Sequence, residues 1–164
     1  MAPPSTDAPA DAPTAAPAAG ASTPPAGNRV ADACSVLTND QVTGAMGAST
    51  PLLAEGSSPD KPWGCTWGSR QSYVSLEELD ATRFATVTSS PDLTGSPVGG
   101  IGDSALLVTY KDDGRSPQLV FTVAGHHYSV EAVASRSELG AANAAQEAAA
   151  EQQLAGLAAR ALAG

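Results

Sequence analysis

Lysine is nearly missing from this chain. Its 164 residues include only Lys61 and Lys111, the eight basic residues form no cluster, and the net charge is −9. Nucleic acid and anionic lipid are held through Lys and Arg on phosphate, so this composition argues against both as partners. No run of 18 apolar residues exists, so no helix is expected to span a membrane. The N-terminus has no basic segment followed by an apolar core, so no signal peptide is read there. A Met followed directly by an Ala/Pro-rich stretch looks like a start residue placed where a signal has been removed. The expectation is therefore an extracytoplasmic protein, secreted or anchored at the cell surface. A lipid anchor on the native precursor is compatible with that expectation.

Cysteine and histidine are equally scarce: Cys34, Cys65, His126 and His127 are all there are. A structural zinc site wants four ligands, usually with a close C-x2-4-C pair. Here no second cysteine lies near either one, and adjacent histidines on a strand point to opposite faces. A catalytic thiol needs a base beside it and a depressed pKa, and nothing in the sequence places one. The remaining reading is a disulfide, Cys34–Cys65, in the manner of exported domains. It closes a loop of about 32 residues, worth roughly 3.7 kcal/mol in the chain-entropy model. Neither a metal nor a cofactor is expected.

Catalytic signatures are missing too. There is no G-x-S-x-G elbow. "GGIGD" lacks the spacing of a dinucleotide-binding loop and reads as a turn into a strand, with Asp103 capping that turn. Glu77 and Glu78 are neighbours that diverge on a strand, so they make no carboxylate dyad. Asp112 and Asp113 lack the alternating ligands and terminal Glu of a calcium loop. "HHY" is the only source of a general base, and no nucleophile, base and orienting group can be named together. The chain is not expected to be an enzyme.

Within what is there, residues 1–27 hold ten alanines and seven prolines and no Val, Ile, Leu or aromatic residue. Such a stretch cannot bury enough apolar surface to offset its ordering, and it reads as a semi-rigid spacer. The division is a spacer over 1–28 and one domain over 29–164. Thr38 and Gln41 have capping-box spacing ahead of a short helix over 39–46, ended by Gly47, with Leu37 and Val42 as its apolar staple. "TWGSRQSYVSLEEL" reads as a strand. Residues 80–89 fit either a helix capped by Asp80 or a strand, since their β-branched residues oppose a helix. Strands near 104–110, 118–124 and 127–134, with an Asp-Gly turn and a Gly125 turn, make an antiparallel meander. Residues 137–163 are helical by propensity, with Ser135 and Glu138 as a second capping box. Leu139, Ala150, Leu154, Leu157 and Ala161 are assigned to its apolar face. The fold expected is α+β: an antiparallel sheet of about four or more strands, a short N-terminal helix, a long C-terminal helix and one disulfide.

"DACSVLTNDQVTGAMG", "CTW", "GIGDSALLV" and the closing alanine-rich helix together resemble small exported lipoproteins and secreted proteins of actinobacteria. The resemblance spans about residues 32–163. It departs at Val36, where leucine is common, and in lacking the lipidated cysteine. It implies an export address and a two-cysteine α+β fold, and it carries over no catalytic residues.

The function expected is that of a non-catalytic envelope module, a monomer, binding an unidentified protein or small ligand. The alternatives are a carrier holding an apolar ligand between sheet and closing helix, and a secreted hydrolase without a recognisable motif. Trp67 is read as core and Trp63 as a rim residue. Leu119, Phe121 and Val123 alternate with Val120 and Thr122, so the second sheet face is semi-apolar. Either segment 80–98 covers that face or it is a recognition surface. As the latter, its contacts would be Val120, Thr122, His127 and Ser129, with Trp63 at the rim.

Overall fold

The computed structural model describes residues 30–55, 63–111, 116–135 and 141–164. The spacer, the Asp-Gly turn at 112–115, and the residues Glu138 and Leu139 lie outside them. The chain enters through a 3-10 turn, Ala33–Ser35, that carries Cys34. It then forms α1, Asn39–Met46. The Thr38 hydroxyl oxygen accepts from the Gln41 amide at 3.1 Å, and the Gln41 side chain accepts from the Thr38 amide at 2.8 Å. The capping box therefore satisfies two amides that the helix start would leave unpaired. Gly47, with φ 60°, ends the helix in the left-handed conformation.

Six antiparallel strands follow: β1 Gly64–Gly68, β2 Tyr73–Leu79, β3 Leu93–Pro97, β4 Ser104–Tyr110, β5 Gln118–Val123 and β6 His126–Val133. They form one sheet in the order β1-β2-β6-β5-β4-β3. The expected meander is β4-β5-β6, within a residue of its expected bounds. Ala124 and Gly125 connect β5 to β6 with φ 51° and 83°. Two positive φ values in a two-residue loop match the right-handed twist of the strands beside it. Asp103 caps this turn from outside, its Oδ2 accepting from the Ala124 amide at 2.9 Å. Cys34 and Cys65 are bridged, with their Cα atoms 5.1 Å apart, so the bridge ties the entry turn to edge strand β1.

The ambiguous segment is a helix, α2, Ala81–Ser89. Asp80 caps it, accepting from the Arg83 amide at 2.8 Å. Its β-branched residues are accommodated by back-bonding: the Thr86 and Thr88 hydroxyls donate to the Thr82 and Phe84 carbonyls.

The closing helix, α3, Ala141–Ala163, lies over β5 and β6 and against α1. Its buried face differs from the sequence assignment. Ala161 is exposed and Leu157 only half-buried, while Ala150, Leu154, Ala155, Ala158 and Leu162 are buried. Glu147 and Glu151 share that buried face. The reason lies in the sheet. The β5–β6 ladder ends at the Gln118–Glu131 pair, whereas β2 pairs with β6 as far as Val133. Pro117, which the register would set opposite Ala132, has no amide to donate. Beyond that point no described strand lies beside this edge of β6. Glu151 Oε1 accepts from the Ala132 amide and Glu147 Oε1 from the Ala134 amide, both at 2.9 Å. Residues four apart on a helix rise ~6 Å and residues two apart on a strand ~6.8 Å, so the two spacings match.

Burial raises the Glu151 carboxyl to about 10, with Glu131 and Glu147 adding repulsion and the Ala132 amide opposing. Glu151 is therefore a neutral acid at pH 7, and its Oε2 is buried with no partner among the described residues.

Two outcomes are expected. Replacing both cysteines with alanine should lower unfolding free energy by roughly 3–4 kcal/mol in denaturant titration under non-reducing conditions. Loss under ~1 kcal/mol would show the bridge to be energetically idle. For Glu151, the folded chain keeps a proton that the unfolded chain releases above its ordinary value of 4.5. Stability should therefore be highest in acid and fall as pH rises from about 4.5 towards about 10. Glu151→Gln keeps an acceptor for Ala132 and should flatten that decline, raising the melting temperature at pH 8 with little change near pH 4.5. An unaltered slope would mean that Glu151 does not hold the proton.

Candidate functional site

A groove of about 700 Å³ opens where three segments distant in sequence meet. One wall is the loop after α1, residues 47–53, and a second is formed by Gly68, Ser69 and Ser72 at the β1–β2 turn. The third is the end of β6 with the start of α3, represented by Ala134, Asn143 and Gln146. Met46, Pro51, Leu52 and Leu53 supply apolar surface, while Ser, Thr, Asn and Gln side chains supply hydrogen-bonding groups. Leu53 is 58% exposed, the one large apolar side chain so exposed among the described residues. Glu55 is the only charged residue in the described lining, which contains no aromatic ring.

The walls are fixed by specific bonds. The Thr43 hydroxyl accepts from the Leu52 amide at 2.9 Å, and Asn39 Oδ1 accepts from the Ala54 amide at 3.2 Å. Residues 53–55 run beside β1: the Glu55 amide donates to the Thr66 carbonyl at 2.8 Å and the Gly68 amide to the Leu53 carbonyl at 3.0 Å. Gln146 Nε2 donates to the Met46 carbonyl at 2.9 Å and so links α3 to α1. Gly68 sits at the floor with φ 106°, and a Cβ there would overlap the Ser72 carbonyl and press on Leu52.

The site residues nominated from sequence fall elsewhere and are divided between the two sheet faces. Val120, Thr122, His127 and Ser129 share the face crossed by α2. Val120 and Ser129 are each 1% exposed. Thr122 bonds to His127 Nδ1 at 3.0 Å, and His127 stacks on Phe84 of α2 with ring centres 3.9 Å apart. Gln118 donates to Ser129. Trp63 is not with them. It is half-buried on the α3 side, its ring edge-on to Tyr128 at 5.4 Å and its indole N–H donating to the Val30 carbonyl at 2.7 Å. Trp67 is fully buried in the same core. Trp63 stands four residues before Trp67, so alternation sets both on one side, and the register of β1 on β2 decides that this is the α3 side.

Sequence reading also missed a paired base. His126 Nδ1 lies 2.8 Å from Glu78 Oε1, across from Glu77, whose partner is Arg83 at 3.0 Å. Glutamate orienting histidine is half of a general-base arrangement. Here the other ring nitrogen, Nε2, is buried with no partner among the described residues, so it faces no substrate space. Among the described residues no group of three or more acidic, His or Cys side chains is placed to hold a metal. No described helix is long and apolar enough to cross a membrane.

The floor of the groove gives a direct test. Gly47 has φ 60° with open space around it, so Gly47→Ala should cost only the left-handed strain, ~1 kcal/mol. Gly68→Ala adds steric overlap to that strain and should cost clearly more, by chemical denaturation. Equal costs at the two positions would show that the turn gives way and that the floor is not rigid. No family model, curated protein or solved structure matches this chain.

Proposed function

We propose that the chain is an exported, non-catalytic binding module that takes a short, uncharged, extended peptide segment in the groove between α1, the β1–β2 turn and α3. The observation that carries this reading is the groove's chemistry. Its hydroxyl and amide groups match the alternating N–H and C=O of an extended backbone, and Met46, Pro51, Leu52 and Leu53 match small apolar side chains. The described lining has no Lys or Arg for phosphate or carboxylate, and no aromatic face on which a sugar or nucleobase would stack.

An export address is supported by the disulfide, which suits an oxidising compartment. The Ala/Pro-rich composition of residues 1–28 supports a stand-off from the surface. The resemblance to actinobacterial exported proteins points the same way. Two rival readings have less behind them. A carrier needs room between sheet and closing helix, where Leu154, Ala155, Ala158 and Leu162 are buried in the same core as Leu119, Phe121 and Val130. A hydrolase needs a base that reaches substrate, and His126 Nε2 does not reach the surface.

The test is selection of random heptapeptides on the immobilised full chain, followed by affinity measurements. Leu53→Asp and Ser49→Trp alter exposed positions of the groove and should leave the fold intact. Each should weaken the selected peptides by about tenfold or more, ~1.4 kcal/mol. Peptides bound equally well by both variants would remove the groove from consideration.

A further inference from the structure

Helix α2 is held unlike the rest of the domain. None of its nine residues is buried. Thr82, Thr86, Val87, Thr88 and Ser89 are poor helix formers, so its propensity alone does not sustain it. Only Phe84 and Val87 turn inward. They cover Leu79, Val108 and Val120, which form a small cluster separate from the main core. The Arg83–Glu77 ion pair adds little, since the arginine side chain is half exposed. The firmest single contact is the parallel stack of Phe84 on His127, itself pinned to Thr122.

We propose that α2 is a detachable strap: it closes a second apolar cluster on the sheet and lifts from it while the main core stays folded. The hinges are the Asp80 cap at one end and the Ser90–Leu93 turn at the other. Release uncovers Leu79, Val108 and Val120, all 2% exposed or less when the strap is down. It needs no change in the α3 face, in the disulfide or in the groove, and it is independent of the peptide reading.

The latch responds to acid. Burial, with His126 alongside, lowers the His127 pKa from its ordinary 6.5. The acidic and basic side chains on the elements around it are Glu77 and Glu78 of β2, His126 and Glu131 of β6, and Asp80 and Arg83 at the start of α2. A group with a lowered folded value favours closure when neutral. The closed state is fully supported above 6.5 and loses that support as pH falls through 6.5 to the lower folded value.

Hydrogen exchange on the full chain, read by peptide and corrected for intrinsic rates, tests the strap. Amides of 81–89 should exchange far faster than those of β5 and β6, by an opening that leaves the sheet protected. Phe84→Ala should speed exchange at 81–89 by about tenfold or more, with protection of β6 unchanged. In the wild type, protection of 81–89 should fall several-fold from pH 7.5 to 5.5 relative to β6, and His127→Gln should abolish that fall. The proposal is overturned if α2 exchanges only together with the sheet, or if Phe84→Ala lowers protection of α2 and β6 equally. Should the Phe84 variant not fold, Phe84 belongs to the global core and the strap is likewise refuted. An acid response that survives in His127→Gln would remove the latch.

Discussion

Strand β6 outruns its neighbour β5, and most of this architecture follows from how the overhang is satisfied. An unpaired strand edge leaves amides that must find acceptors or face water. Here the acceptors come from a helix. Glu147 and Glu151 reach the Ala134 and Ala132 amides from α3. These two bonds fix both where α3 lies and its rotation about its own axis. The rotation then decides everything next to it. With Glu147 turned to the sheet edge, the preceding Gln146 is directed at α1 and bonds the Met46 carbonyl. That contact sets the width of the groove between α1 and α3. Carboxyl groups are costly to bury, and desolvation leaves Glu151 protonated rather than ionised. A neutral acid still offers a carbonyl oxygen, so Glu151 holds the Ala132 amide without a buried charge of its own.

The two faces of the sheet are stabilised unequally. On the α3 side a continuous core runs from Val36 and Leu37 through Trp67, Leu76, Phe121 and Tyr128 to Leu154 and Leu162. The disulfide reinforces that side by tying the entry turn to β1. On the other side a three-residue cluster sits beneath a helix with no buried residue. Farther along that face the contacts become polar: Gln118 with Ser129, and Tyr73 with Glu131 at 3.1 Å. Local stability follows the density of buried apolar contact, so the gradient runs from a rigid α3 face to a loosely held α2 face.

Local chemistry was readable in the sequence and long-range geometry was not. The capping box at Thr38, the stop at Gly47 and the Gly125 turn of the meander all depend on neighbours a few residues apart, whereas Asp103, read as capping its own glycine-rich turn, caps the β5–β6 turn 21 residues on. The cysteine pair was readable because so few other ligands exist. The face of α3 departs from its assignment at Leu157 and Ala161, because the bonds of Glu147 and Glu151 to β6 set the rotation of the helix. A signal was present: Glu147 and Glu151 stand four apart in an alanine-rich helix, with no basic residue at positions 143–155 to pair with them. Residues 80–89 were ambiguous because intrinsic propensity and capping disagreed, and packing of Phe84 and Val87 decided between them. Trp63 was misplaced relative to Val120 because its side depends on pairing across β1 and β2. The groove left no sequence trace, because its described lining comes from residues far apart in the chain, among them Leu53, Ser69, Ala134 and Gln146.

The groove's rigidity bears on what it is suited to do. Its loop wall would ordinarily lose conformational entropy on meeting a ligand. That entropy has already been lost in folding, because Asn39 and Thr43 hold the Ala54 and Leu52 amides. Residues 53–55 are further paired to β1 by backbone bonds. Such a surface binds by complementarity of fixed groups rather than by closing around its ligand. It also has little with which to attract a charged partner from a distance, since Glu55 is the one charge of the described lining in a chain of net charge −9. Acidic ligands are repelled by the surrounding field, and phosphate finds no cation in the described lining. What remains compatible is a neutral segment whose own hydrogen-bonding groups are regularly spaced, and an extended backbone has that spacing.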